Sequence, residues 1–314
     1  MLPQPIEARM RDARRVLLIG TGGGFDFLCG LPLFFALENR GLEVHLANLS
    51  FSPLDALTDA RWHDEVLLEA DWRSQGADYF PEKWLSHWFR ERRAREVSVW
   101  CFKATGARPY AQSLAYLAKH LEIDTVIAVD GGVDSLLRGD EHSLGTPLWD
   151  ALTVAAVDSL RVERKFLVST AFGAERWDKI SHAQALRRIA DLTREDALLG
   201  VSTLLRASEE GRVFIEAAQH IFERQRRGSI VCSSLLSALR GDFGERPVNS
   251  NTEQTPIWVS PLMCLYWFFD LGEVARHKLF LPQLLETQTL TEAAEALRVW
   301  SEKQAPAPWE SIPI

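Results

Sequence analysis

One polar loop carries four carboxylates within twelve residues: Asp130, Asp134, Asp140 and Glu141. It follows a strongly apolar run, which predicts that the loop leaves the end of a buried strand. Carboxylates at a strand end can bind a hard cation such as Mg²⁺, hold ribose hydroxyls or act as a general base. Arg138 can balance their charge or clamp a ligand phosphate. We predict that all five are catalytic, with Asp130 and Asp134 as metal ligands. The alternative is a solvated surface loop.

Small residues accompany these charges. Gly131, Gly132 and Ser135 lie beside the first two aspartates, and Thr146 stands just before a proline. Glycines allow a ligand to approach the backbone closely. Threonine before a proline is also a natural helix N-cap. We predict ligand contacts for all four residues.

A second loop, Gly20 to Asp26, contains three consecutive glycines, Gly22, Gly23 and Gly24. It follows the apolar run 15–20 and precedes an apolar stretch, which predicts the order strand, loop, helix. Bare backbone at a helix start suits a phosphate or a carboxylate. We predict that Gly22 to Gly24 bind the anionic part of a ligand and that Asp26 adds a further carboxylate. The alternative is a tight turn that needs positive φ.

Several familiar motifs fit poorly. Gly20 and Gly22 match G-x-G-x-x-G, but Phe25 occupies the third glycine position. Asn48 or Ser50 stands where a dinucleotide site needs an acidic residue, so an NAD site is not expected. No GK[ST] or HExxH is present, and Ser135 lacks the G-x-S-x-G elbow of a serine hydrolase.

The predicted strands and helices around both loops indicate an α/β fold. Strands are predicted at 15–20, 43–49, 97–102, 125–129 and 165–169, with helices between them. This order predicts one α/β domain over 1–314, a Rossmann-like, open, mainly parallel sheet with helices on both faces. Residues 52–96 are predicted as an irregular tryptophan-rich insertion, and 180–304 as a mainly helical C-terminal half. If the strands before the two loops are neighbours, both loops line one cleft.

Composition narrows the class of protein. The 314 residues carry a net charge of −8 and a pI near 5.6, so no nucleic-acid partner is expected. The four cysteines form no CxxC pair and read as buried thiols in a reducing compartment. No signal peptide or membrane span is evident. We predict a cytoplasmic protein with a small anionic ligand and no membrane partner; a homo-oligomer is the default expectation for its assembly.

The motif residues resemble a known family. The run Asp130-Gly-Gly-x-Asp134-Ser135, followed by Arg138-Gly-Asp-Glu141 and Gly145-Thr-Pro147, resembles the archaeal and bacterial family called domain of unknown function 1152. The glycine loop and the stretch 266–275 fit the same resemblance. It implies a Rossmann-like fold over most of the chain and brings no reaction with it.

Function must therefore be predicted from the residues. Clustered carboxylates without a clear Ser, Cys or His nucleophile favour direct displacement. We predict an enzyme that acts by hydrolysis or group transfer on a small anionic, nucleotide- or ribose-containing metabolite, with Mg²⁺ as a possible cofactor. The alternative is a non-catalytic metabolite sensor or a subunit of an assembly, with the tryptophans of 62–100 as its partner surface.

Overall fold

The computed structural model describes residues 4–59, 61–175, 179–225 and 228–312. Eleven strands are found in these residues: β1 Arg15–Gly20, β2 Glu43–Leu49, β3 Arg61–Trp62, β4 Leu67–Ala70, β5 Val99–Phe102, β6 Thr125–Asp130, β7 Arg164–Ser169, β8 Leu198–Thr203, β9 Gly244–Arg246, β10 Ile257–Val259 and β11 Leu265–Asp270.

Helices connect most of these strands. Their bounds are α1 Gln4–Arg9, α2 Asp26–Cys29, α3 Leu31–Glu38, α4 Pro81–Arg93, α5 Ala107–His120, α6 Pro147–Ser159, α7 His182–Arg194, α8 Glu209–Phe222, α9 Ile230–Leu239, α10 Leu271–His277, α11 Leu281–Leu284 and α12 Leu290–Ser301. No helix within the described ranges has the length and apolar character needed to cross a membrane.

A nine-stranded sheet organises the fold, in the order β3-β4-β5-β2-β1-β6-β7-β11-β8. The five central strands, β5 to β7 in this order, are parallel. Numbered along the chain, those five strands have the order 3-2-1-4-5, which is that of doubly wound Rossmann-type sheets. The predicted open, mainly parallel sheet is confirmed. β9 and β10 form a separate antiparallel pair.

Alternate strand residues divide the core between the two faces of the sheet. In β1, Val16 and Leu18 pack in one core with α2, α3, α4, α8 and α9. Leu17 and Ile19 pack in the other core with α5, α6, α7 and α10 to α12. A strand buried on both faces is apolar at every position, which explains the continuous run RVLLIG.

The crossover direction reverses between β1 and β6. The chain leaves β1 through α2 and α3 on one face, and leaves β6 through α6 on the other. Because β1 and β6 are hydrogen-bonded neighbours, the loops that follow them lie side by side. The prediction that both loops line one cleft required the strands before them to be neighbours. The structure meets this condition.

Two parts of the chain are more regular than expected. Residues 52–96 include α4 and two strands that extend the sheet beyond β5, since β4 pairs antiparallel with β5 and β3 pairs antiparallel with β4. In the C-terminal half, β11 inserts antiparallel between β7 and β8. These segments therefore form both edges of the main sheet.

Candidate functional site

Five acidic side chains converge at the carboxyl ends of β1, β6 and β7. One carboxylate oxygen from each of Asp26, Asp130 and Asp150 lies within 4.8 Å of the others, and the same holds for Asp130, Asp134 and Glu175. All five side chains are buried, with 9% exposure or less. We call these five residues the acidic cluster. It lies where ligands bind in doubly wound folds.

Each central carboxylate is held by groups of its own loop. Asp130 Oδ2 accepts hydrogen bonds from the Ser135 amide and hydroxyl. Asp134 Oδ2 accepts two bonds from Thr146, from the amide and from the hydroxyl, both 3.2 Å. Thr146 stands at the predicted N-cap of α6, but its hydroxyl bonds to Asp134 and not to the helix. Both predicted ligand contacts, Ser135 and Thr146, thus orient carboxylates of the acidic cluster.

Asp150 and Glu175 were not predicted as site residues. Asp150 lies in the first turn of α6 and accepts the Thr21 hydroxyl at 2.8 Å. Glu175 follows β7 and accepts the Val133 amide at 2.6 Å. Asp150 is the one charged residue in the apolar run 147–157, which was an available signal. The signal for Glu175 was its position after a parallel strand.

The predicted glycines form the walls of the acidic cluster. A Cβ on Gly22 would lie 2.8 Å from Asp26 Oδ2, and one on Gly131 would lie 2.7 Å from Asp26 Oδ1. A Cβ on Gly132 would lie only 1.4 Å from Glu175 Oε1. Such distances leave no room for a side chain. The glycines are therefore needed for the carboxylates to approach the backbone.

The glycine loop differs from the predicted anion site. Gly23 and Gly24 have φ values of 80° and 59°, which a tight turn requires of glycine. The following helix, α2, has four residues, and the Gly22 amide donates to Asp26 Oδ2 at 2.7 Å. The loop thus serves as a turn that binds the protein's own carboxylate. Asn48 holds it from β2, donating to the Gly24 carbonyl at 2.9 Å.

Three of the predicted catalytic residues lie outside the acidic cluster. The Asp140 side chain is 50% exposed, with the Arg138 guanidinium 3.7 Å away. Glu141 accepts the amides of Arg138 and Gly139 at 2.9 and 2.8 Å, so its carboxylate closes the turn. Proximity in sequence therefore did not bring these three side chains into the acidic cluster.

A buried lysine faces the acidic cluster from the C-terminal half. Lys278, just after α10, is 2% exposed, and its Nζ donates to the Leu137 carbonyl at 3.0 Å. Burial lowers the pKa of Lys278, and the charges of Asp150 and Asp134 oppose that change. In its protonated form, Lys278 therefore compensates part of the charge of the acidic cluster.

Burial is also the main electrostatic influence on the carboxylates. It raises the pKa of Asp130 and Asp150 well above the usual range, and the charge of Asp134 raises both further. The pKa of Glu175 is raised well above its ordinary value by the same two causes. Fully ionised, the acidic cluster is unfavourable unless protons or cations compensate its charge.

A family model covers most of the chain, including most of the acidic cluster. The model described as protein of unknown function (DUF1152) matches residues 54–302. The chain belongs to this family. The match confirms the resemblance seen in the motifs, and it includes four of the five carboxylates; Asp26 and the glycine loop precede it. No curated protein matches the chain.

Replacing Gly132 by alanine tests the fit of the acidic cluster. The new Cβ would overlap Glu175 Oε1, so Glu175 must move or the loop must shift. We expect the variant to be destabilised by about 1–3 kcal/mol in urea unfolding. Gly228→Ala is the control, because nothing lies within 4 Å of a Cβ there. Equal stability of the two variants would show that Glu175 is not held against Gly132.

Proposed function

We propose that the acidic cluster binds divalent cations, Mg²⁺ in the first instance, and that the protein is a cation-dependent enzyme. Its substrate is a small anionic metabolite, with nucleotides and sugar phosphates as the leading class, and the reaction is hydrolysis or group transfer. The observation that carries the proposal is the convergence of five buried carboxylates at the strand ends. Buried charges need a partner, and oxygen ligands suit Mg²⁺.

The donor set fits a hard cation. It consists of two groups of three carboxylate oxygens, and within each group the oxygens lie within 4.8 Å of one another. Each group is compact enough to hold one ion, since oxygen–cation distances are about 2.0–2.6 Å. Within each loop, the glycines keep the space between the carboxylates free of side chains. A cation bound here would provide an electrophile for an anionic substrate, and Asp or Glu oxygens would be available to orient an attacking water or hydroxyl.

Phe51 marks the proposed approach of the substrate. Its ring is 46% exposed and packs on Gly23 and Gly24, so it borders the glycine loop directly. Trp149, next to Asp150 in sequence, packs edge-on against it at 4.9 Å. A groove of about 800 Å³ lies against Phe51 and is also lined by Asp78, Tyr79 and Asn251. An aromatic wall beside a cation site suits a ligand that has a flat ring and a phosphate.

A thermal-shift series tests the proposed function. The protein is stripped with EDTA and then supplied with Mg²⁺, Mn²⁺ or Ca²⁺, followed by nucleotides and sugar phosphates with and without the cation. A ligand at about 100 times its Kd stabilises a fold by about 2.7 kcal/mol, which is a shift of several degrees. We expect a cation shift first and an additional shift from an anionic metabolite. No cation shift would contradict the proposal.

The second candidate is a non-catalytic metabolite-binding protein. It is favoured by the burial of the acidic cluster, because all five carboxylates are 9% exposed or less. A cation at that depth can fix the loops without touching a substrate. Product analysis by ³¹P NMR of every metabolite that shifts the melting temperature separates the two candidates, since only the enzyme converts its ligand.

Phe51 provides a prediction for ligand affinity. If the ring stacks on a base, Phe51→Ala is expected to weaken nucleotide binding by about 10- to 100-fold, because base stacking contributes about 1–3 kcal/mol. Binding of the cation alone should not change. Trp62→Ala is the control, since Trp62 is a partly exposed aromatic that lines a different groove. Equal affinities, measured by calorimetry, would place the ligand elsewhere.

A further inference from the structure

The acidic cluster consists of two groups of ligands that share one residue. Asp26, Asp130 and Asp150 form the first group, and Asp130, Asp134 and Glu175 form the second. A carboxylate has two oxygens, so one aspartate can bridge two cations. Asp130 lies at the end of β6, between the loop after β1 and the loop after β7. Its place in the sheet is thus that of a bridging ligand.

Each group contains a buried oxygen without a partner. Asp150 Oδ2 in the first group and Glu175 Oε2 in the second find no hydrogen-bond donor among the described residues. Their side chains are 0% and 7% exposed. Asp150 Oδ2 borders the space beside Gly22 that Asp26 Oδ2 also borders. An unpaired buried carboxylate oxygen is costly, so each group has its own reason to bind a cation.

We propose that the acidic cluster is a two-cation site in which Asp130 bridges two Mg²⁺ or Mn²⁺ ions. Asp26 and Asp150 complete the first position, and Asp134 and Glu175 complete the second. Bridged cations of this kind lie about 3.5–4 Å apart. The inference rests on the proposed function, because it specifies the number of divalent cations that the acidic cluster binds.

The test counts cations in matched variants. EDTA-stripped protein is titrated with Mn²⁺ by calorimetry, and the bound metal is measured by elemental analysis after gel filtration. Wild type is expected to bind two Mn²⁺ per chain, with spin coupling between them in electron paramagnetic resonance spectra. Asp150→Asn and Glu175→Gln should each bind one, without coupling. Asp158→Asn, a half-exposed carboxylate on the same helix as Asp150, should still bind two.

Two other outcomes would contradict the inference. One Mn²⁺ in wild type, lost in both variants, would overturn the two-cation site but leave the proposed function intact. No Mn²⁺ binding in folded wild type would overturn both. If a variant fails to fold, as judged by circular dichroism, the spin coupling in wild type decides alone, because a single bound Mn²⁺ gives none.

Discussion

Asp130→Asn is expected to abolish the response of the protein to divalent cations and, at the same time, to stabilise the cation-free protein. Asn keeps an oxygen that can accept the Ser135 hydrogen bonds, so the fold loses a charge but little geometry. Without a cation, the wild type buries carboxylates that repel one another, and its Asp130 pKa is raised because of burial and the charges of Asp134 and Asp26. Removal of one such charge should stabilise the protein by about 1–3 kcal/mol.

The difference in stability between Asp130→Asn and wild type should change sign when Mg²⁺ is present. Wild type then gains several degrees in melting temperature, whereas Asp130→Asn gains almost nothing, so the two unfolding curves change order between EDTA and Mg²⁺. Asp158→Asn should follow wild type in both buffers. An Asp130→Asn variant less stable than wild type in EDTA and still shifted by Mg²⁺ would mean that Asp130 acts through hydrogen bonds and not through a cation.

The strands at the centre of the sheet could be predicted from the sequence because burial on both faces gives each of them a recognisable local pattern. β1 and β6 are buried on both faces, so each is a short run of apolar residues that ends at a polar turn. Edge strands carry less of this signal. β8 has alternating burial and includes a glycine, and it was not predicted. β11 joins the sheet antiparallel next to β7, a pairing across about a hundred residues that local pattern does not specify.

The candidate site likewise contains residues that local sequence pattern could predict and residues that it could not. Asp26, Asp130 and Asp134 follow predicted strands, and their convergence requires only that β1 and β6 pair. Asp150 and Glu175 join them through α6 and the turn after β7, and their side-chain direction depends on tertiary packing. Arg138 and Asp140 were predicted as site residues but lie outside the acidic cluster, because a turn closed by Glu141 directs them to the surface. Lys278 comes from a distant segment and carried no sequence signal for this role.

Lys278→Met is expected to have the largest effect on stability. Lys278 is a buried positive charge that acts on Asp150, Asp134 and the neighbouring carboxylates, and methionine has a similar length without the charge. Loss of one partner from a buried charged group costs about 3–5 kcal/mol. The hydrogen bond to the Leu137 carbonyl is lost as well. Urea unfolding in EDTA should show the full loss, and Mg²⁺ should recover much of it by replacing the missing charge.

A double variant separates charge from hydrogen bonding. If Lys278 stabilises the acidic cluster electrostatically, Asp130→Asn should be more stabilising in the Lys278→Met background than in wild type, and the two changes should be non-additive by about 1–3 kcal/mol. Lys103→Met, at a half-exposed lysine paired with Asp55, should be additive with Asp130→Asn. Additive effects for Lys278→Met, with an equal loss in EDTA and Mg²⁺, would show that Lys278 serves only to hold Leu137. If Mg²⁺ reduces the loss caused by Lys278→Met in the wild-type background but not in the Asp130→Asn background, the lysine and the cation are two sources of the same compensating charge.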